Sequence, residues 1–123
     1  MENFNEKKFN MATLVKIWFK PEYTNIFQKI KKIKTPESPK NNILMVLLDG
    51  QWHSENEIIR ITRKEHRYMG TVTLGIMISN INKNLTTNYL QKKIIDGKVY
   101  YKLSDNYIGL TRAAYTKYRF VRK

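Results

Sequence analysis

The stretch YLQKKIIDGKVYYKL, residues 89–103, constrains the fold of this chain more than any other. Asp96-Gly97 at its centre predicts a two-residue type I′ turn, because both central positions of that turn need a positive φ. A hairpin closed by this turn pairs Ile95 with Lys98 and continues residue by residue to its open end. The register of both strands is therefore predicted.

Side-chain alternation divides this hairpin into two faces. One face is mostly apolar and is predicted to lie on the core: Leu90, Lys92, Ile94, Val99, Tyr101 and Leu103. The other face is basic: Gln91, Lys93, Ile95, Lys98, Tyr100 and Lys102. The basic face predicts contact with an anionic partner. The alternative is an edge strand that lysine protects from unwanted pairing.

The net charge of the chain points to the same class of partner. Its 123 residues suit one compact domain, and 23 Lys+Arg against 10 Asp+Glu leave a formal charge of +13. Nucleic acid is the first expectation and an acidic membrane surface the second, while charge that serves solubility alone is the alternative. Residues 41–86 contain five Lys/Arg and four Asp/Glu, whereas residues 87–123 contain nine Lys/Arg and two Asp/Glu. The excess therefore lies on the hairpin and the two flanks.

Three absences set the expected compartment. The chain has no cysteine, which fits a reducing compartment. The opening MENFNEKKFN lacks the apolar centre of a signal peptide, and the longest apolar run, Ile43 to Leu48, is too short to cross a bilayer. A cytoplasmic protein without a membrane span is expected, associated with the nucleoid if it binds DNA.

Helical periodicity and capping residues predict the other elements. Two N-terminal helices are expected, from about Phe9 to Phe19 and onward from Pro21, because proline suits a first helical position. Ser38-Pro39 begins a short helix. Ser54 begins the next one as a capping box, in which the carboxylate of Glu57 reaches back to the cap.

Two longer helices flank the hairpin in the sequence. The first runs from Thr71 or Thr73 to about Asn84, with an apolar stripe of Leu74, Ile78, Ile81 and Leu85. The second runs from Tyr107 to about Val121 and closes the chain. The fold class expected from these elements is mainly α with a small β-hairpin, that is, α+β.

The order of three helices and a hairpin within about seventy residues resembles a winged helix-turn-helix domain. The chain is similar to small transcription regulators of the prokaryotic and archaeal type, over Ser38 to Ser104 and in its strand VYYKLS. Those regulators often place a glycine four residues after the equivalent of Leu103, whereas here Gly109 comes later. The resemblance implies an N-terminal helical extension (1–37), a winged-helix domain (38–104) and a C-terminal helix with a basic tail (105–123).

The resemblance also implies a DNA-binding site on double-stranded DNA. It places the helix after Gly70 in the major groove and the hairpin, as the wing, along the neighbouring backbone. The wing residues expected at phosphates are Lys93, Lys98, Tyr100 and Lys102. The residues expected at DNA from the helix and its preceding turn are Arg63, Lys64, Arg67, Thr71, Thr73, Asn80, Asn82 and Lys83. The basic flanks add Lys31, Lys32, Lys34, Arg119, Arg122 and Lys123.

The chemistry of these residues favours weak, largely sequence-independent binding. The helix after Gly70 has no arginine, although asparagine and threonine can contact A·T pairs. Two other functions stay open: a protein-interaction module that uses Val72 and Ile76, and a membrane-surface role for residues 23–34.

No enzyme, cofactor, metal or small-molecule ligand is expected. The sequence contains no glycine-rich phosphate loop and no nucleophile elbow. His53 and His66 have no cysteine to complete a zinc site, so both are expected at the surface.

Aromatic residues near the two termini predict a homodimer. They exceed what a small winged-helix core absorbs: Phe9, Trp18, Tyr23, Phe27, Tyr115, Tyr118 and Phe120. Burial against a second subunit across a two-fold axis is expected, and the alternative folds both flanks onto their own domain.

Overall fold

A computed structural model of the chain describes residues 21–33 and 38–122, with side chains as far as residue 115. This part of the chain forms five helices and three strands. In chain order they are α1 (Pro21–Ile33), α2 (Pro39–Leu47), β1 (His53–Ser54), α3 (Glu55–Thr62), α4 (Thr71–Asn84), β2 (Leu90–Ile95), β3 (Lys98–Leu103) and α5 (Ile108–Arg122). The mainly α, α+β class is thereby confirmed. The helix expected over residues 9–19 lies outside the described residues.

The strands form one antiparallel sheet in the order β1-β3-β2. Asp96 and Gly97 have φ values of 52° and 77°, which confirms the predicted turn. All six pairs of the hairpin, from Ile95 with Lys98 to the open end, match the predicted register. The third strand, β1, was not predicted, because two residues are too few to show a periodicity.

Serine caps begin α2 and α3 as predicted. The Asn41 amide donates to Ser38 Oγ at 3.5 Å, and the Glu57 amide donates to Ser54 Oγ at 3.1 Å. The second half of the predicted capping box is wrong, because the Glu57 carboxylate lies 3.1 Å from His53 Nδ1 instead. A neighbouring imidazole with an unpaired nitrogen offers that carboxylate a stronger partner than a backbone amide does.

One hydrophobic core draws on all three predicted segments. Ile26, Phe27 and Ile30 of α1 are buried in it, together with the predicted stripe of α4. Leu110 and Ala114 of α5 belong to the same cluster. The boundaries 1–37, 38–104 and 105–123 stay a prediction, which a core substitution in α1 tests below.

Polar contacts attach α5 to α2 and to the start of β2. Tyr115 Oη donates to Asn41 Oδ1 at 2.7 Å, and Arg112 Nε donates to the Leu48 carbonyl at 2.9 Å. The hydroxyls of Tyr89 and Thr111 form a buried hydrogen bond. Burial raises the pKa of Tyr89, so this hydroxyl keeps its proton.

The terminal aromatics expected at a dimer interface lie in part within their own chain. Phe27 and Tyr115 are buried and Tyr23 packs against the core, so these three follow the alternative, in which the flanks fold onto their own domain. The homodimer stays a prediction. The side chains of Phe9, Trp18, Tyr118 and Phe120 lie outside the described part. Within the described residues, no helix combines the length and the apolar character needed to span a membrane.

Candidate nucleic-acid interface

The basic face of the hairpin carries an aromatic and lysine cluster that includes a residue from outside the hairpin. Because His53 pairs with Tyr101, the same antiparallel register places Trp52 opposite Lys102. The Lys93 ammonium lies 4.3 Å from the centre of the Trp52 ring and 5.8 Å from that of Tyr100. We call Trp52, Lys93, Tyr100 and Lys102 the outer cluster.

Two of the three hairpin lysines expected at phosphates have partners within the chain. Lys93 lies against Trp52, and Lys102 Nζ is 2.9 Å from Asp105 Oδ1 and 5.8 Å from the Trp52 ring centre. Lys98, beside the turn, is exposed and enters no ion pair within the described residues. Of these three predicted contacts, Lys98 is the one that a duplex phosphate reaches without displacing a partner within the chain.

The tip of the hairpin extends past the core. Leu90, Tyr101 and Leu103 of the apolar face are buried as predicted. Ile94 was also expected on the core, but 62% of its surface is exposed, and Ile95 on the opposite face is exposed too. The core ends beneath the base of the hairpin, so alternation alone does not bury the residues near the turn.

The solvent-facing side of α4 is apolar at its start and polar at its end. Val72, 73% exposed, and Ile76 precede Asn80 and Lys83, which are also exposed. Thr71 is exposed and Thr73 is half-buried. Four of the five predicted contacts on α4 are therefore accessible to a ligand, at least in part, but they share this side with two large aliphatic residues.

Asn82 has a structural role in place of the predicted base contact. Its Nδ2 donates to the Leu90 carbonyl at 3.0 Å, and its Oδ1 accepts from the Leu90 amide at 2.8 Å. The backbone amide of Ser104 donates to the Tyr89 carbonyl, so Leu90, the residue after Tyr89, directs its own backbone groups away from β3. Asn82 supplies the partners that a further strand would supply, and we remove it from the candidate base contacts.

The turn before α4 brings three basic residues to the surface. Arg63, Lys64 and Arg67 are all exposed. Arg63 Nε donates to the Met69 carbonyl at 2.7 Å, so this side chain also holds the turn over buried Met69. Lys64 and Arg67 make no ion pair within the described residues and are free to contact an anion.

A recess between α1, α2 and α4 is surrounded by lysines. It has a volume of about 430 Å³ and is lined by Lys29, Lys32, Ile33, Ser38, Lys40, Lys83 and Asn84. None of the described residues that line it carries a carboxylate. Lys40 lies in the first turn of α2, where the helix dipole is positive, and that turn contains no acidic residue. We call this feature the lysine recess.

Sequence reasoning identified only half of the lysines around this recess. Lys32 and Lys83 were predicted, but Lys29, Lys40 and the outer-cluster residue Trp52 were not. A lysine directly after a Ser-Pro helix start was the available signal for Lys40. The three helix ends are brought together by tertiary packing, which the sequence of any one helix does not reveal.

The other predicted basic flanks are only partly described. Lys31 Nζ lies 5.8 Å from the centre of the Phe27 ring. Lys34 and Lys123 lie outside the described residues, as do the side chains of Arg119 and Arg122.

His53 is held between two carboxylates, so the expectation of a plain surface histidine is wrong for this residue. Its side chain is 13% exposed, with Nε2 2.9 Å from Asp49 Oδ1 and Nδ1 3.1 Å from Glu57 Oε1. Both ring nitrogens face acceptors, which only the imidazolium satisfies. Burial lowers the pKa of His53, but the hydrogen bonds and charges of Asp49 and Glu57 outweigh burial and raise the pKa above 6.5.

The free energy of unfolding is expected to fall as the pH rises from 6.5 through the raised pKa of His53. A folded-state pKa above the unfolded value means that the imidazolium stabilises the fold fully below pH 6.5, and that this contribution disappears above the folded-state pKa. The change is roughly 1 kcal/mol or less, because the two carboxylates that pair with His53 are exposed to solvent. Urea denaturation over this pH range measures it. His53→Gln should remove this component of the pH dependence, and an identical pH profile in wild type and variant would contradict the assignment.

Comparisons with protein-family models, with curated proteins and with solved structures find no match to this chain. The described residues contain no group of three or more His, Asp or Glu side chains that could hold a metal ion. The lysine recess, the hairpin and α4 are therefore the features whose chemistry indicates a function.

Proposed function

We propose that the chain is a winged-helix DNA-binding protein that contacts duplex phosphates through the lysine recess and the exposed basic residues of the hairpin and of the turn before α4. The observation that carries this proposal is the lysine recess. Four lysines and the positive end of α2 line a space to which the described part of the chain contributes no carboxylate. Such a site repels itself unless an anion occupies it.

The scarcity of ion pairs in the rest of the described chain also supports binding to duplex phosphates. The ion pairs there join His53 to Asp49 and Glu57, and Lys102 to Asp105. The remaining described lysines have no carboxylate within ion-pair distance, on a chain of formal charge +13. Lysine binds phosphate as a point charge without reading bases, so the proposed protein binds duplexes of many sequences.

The element order supports the winged-helix part of the proposal. Helices α2, α3 and α4 precede the hairpin, and β1 adds a short third strand to it. In that architecture α4 faces the major groove, where Asn80 and Thr71 are available to A·T pairs. A cytoplasmic, nucleoid-associated regulator or chromatin-like protein, acting as a homodimer through its terminal helices, is the form of this function that we propose.

A salt titration with several unrelated duplexes tests the function. Each neutralised phosphate contributes about −0.9 to the slope of log affinity against log salt concentration, so four to eight contacts give roughly −4 to −7. Affinity should vary little between duplexes of different sequence. A flat salt response from folded protein would exclude phosphate binding.

Two charge-matched triple variants locate the contacts. The first changes Lys32, Lys40 and Lys83 of the recess to glutamine, and the second changes the hairpin residues Lys93, Lys98 and Lys102. Both lower the net charge by three, so the general field changes equally. The recess variant should make the salt slope shallower by about three units, and the hairpin variant by about one, through Lys98. Full duplex affinity in both variants would contradict the proposal.

The exposed side of α4 favours a second candidate, a protein-interaction module. Val72 and Ile76 occupy the part of α4 where a base-reading helix carries polar side chains, and Tyr68 in the turn before α4 is exposed as well. The salt titration distinguishes the two functions. In an interaction module of this kind the lysine recess makes no specific phosphate contacts, so the recess variant and the charge-matched hairpin variant should change the salt slope equally.

A further inference from the structure

We propose that the outer cluster of the sheet binds unpaired nucleotides of single-stranded nucleic acid, with a base stacked on Trp52 and the adjoining phosphates on Lys93 and Lys102. This site goes beyond the duplex contacts proposed above and does not depend on them. It lies on the opposite side of the sheet from the buried residues Tyr101 and Leu103.

The chemistry of the cluster is that of a stacking platform. Trp52 and Tyr100 are both half-buried, so each ring is held in place while part of its surface stays accessible. Proteins bind single strands by stacking bases on such rings and by placing cations beside them for the backbone. The sheet brings both components together, with Lys93 between the two rings.

The arrangement of Lys93 suits exchange between a resting and a bound state. Its ammonium lies over Trp52 at 4.3 Å and enters no ion pair within the described residues. A phosphate draws such an ammonium away from the ring more strongly than the ring retains it, because a charge-assisted hydrogen bond exceeds an exposed cation–π contact. The uncovered ring face then accepts a base. Lys102 stays beside the site through Asp105.

Fluorescence of Trp52 provides the test. The chain has two tryptophans, so Trp18→Phe leaves Trp52 as the only one. Titration of this protein with oligo(dT) or oligo(U) should quench the emission saturably. An abasic strand of equal length carries the same phosphates without bases, and should bind about 5- to 150-fold more weakly, the effect of one stacked base.

Substitutions of the platform, made in the chain that retains Trp18 and measured by anisotropy of labelled strands, complete the test. Trp52→Leu should lose about 5- to 150-fold in affinity for oligo(dT) and nothing for the abasic strand, whereas Trp52→Phe should retain most of the affinity. Tyr68→Leu removes an exposed aromatic away from the sheet and should change neither. Equal affinity for abasic and base-bearing strands, or full oligo(dT) affinity in Trp52→Leu, would overturn the proposal.

Different results would contradict the duplex function and the stacking site. Loss of duplex binding in the recess variant with unchanged oligo(dT) quenching supports both sites. Oligo(dT) quenching by a protein that binds no duplex overturns the duplex function and leaves the stacking site standing. Duplex binding without any quenching overturns the stacking site alone, and the contact of Lys93 with Trp52 is then a packing contact of the hairpin.

Discussion

Asn82→Ala is expected to lower the free energy of unfolding by about 2 kcal/mol, because it leaves two backbone groups of Leu90 without partners. Leu90 is buried, so water replaces the lost hydrogen bonds only incompletely. β2 is an edge strand of the sheet, and Asn82 is the group that covers this position of the edge. Urea denaturation measures the change from the transition midpoint at constant slope.

Asn80→Ala is the matched control for this substitution. Asn80 is the same residue type, two positions earlier on the same helix, and it is exposed. Its replacement should change the free energy of unfolding by no more than about 0.5 kcal/mol. If the two variants unfold at the same urea concentration, the Asn82 contacts do not hold β2.

Ile30→Ala should destabilise the chain by about 2 to 5 kcal/mol, the usual effect of truncating a buried aliphatic side chain. Ile30 is fully buried, and its cluster contains residues of α4, β3 and α5. The loss should appear in one cooperative transition, monitored by both far-ultraviolet circular dichroism and tryptophan fluorescence, because α1 shares the core of the other helices. Differential scanning calorimetry should show a single, lower transition temperature.

The control for this core substitution is Ile76→Ala. Ile76 is 56% exposed on α4, so the same chemical change removes little buried surface there. Ile30→Ala could instead unfold at the same temperature as the wild type, or show an additional transition at lower temperature. Either result would mean that residues 1–37 form an extension that folds apart from the domain. That outcome would support the predicted boundary after residue 37.

Each hairpin lysine has a different environment, which changes how the basic face is interpreted. Alternation places Lys93, Lys98 and Lys102 together, and the structure agrees. Of these three, only Lys98 is exposed, however, because Trp52 and Asp105 contact the other two. The face predicted to lie along duplex phosphates is therefore better suited to stacking, and the lysine recess takes the larger part of the duplex proposal.

The elements that could be predicted from the sequence are those whose stabilising interactions are local. The turn at Asp96-Gly97 and the period of two gave the full hairpin register, since both act between neighbours in the chain. Ser38 and Ser54 marked two helix starts, because a cap is completed within three residues. The stripe of α4 was likewise visible at helical spacing.

The partners of those elements, in contrast, are set by long-range packing. Trp52 reaches the hairpin by pairing of β1 with β3, Asn82 reaches β2 across the turn that follows α4, and the lysine recess joins three helix ends. Each of these contacts forms between segments that no local pattern relates. Their geometry follows from how the shared core packs the helices against the sheet, because a side chain's partners depend on that packing and not on its neighbours in sequence.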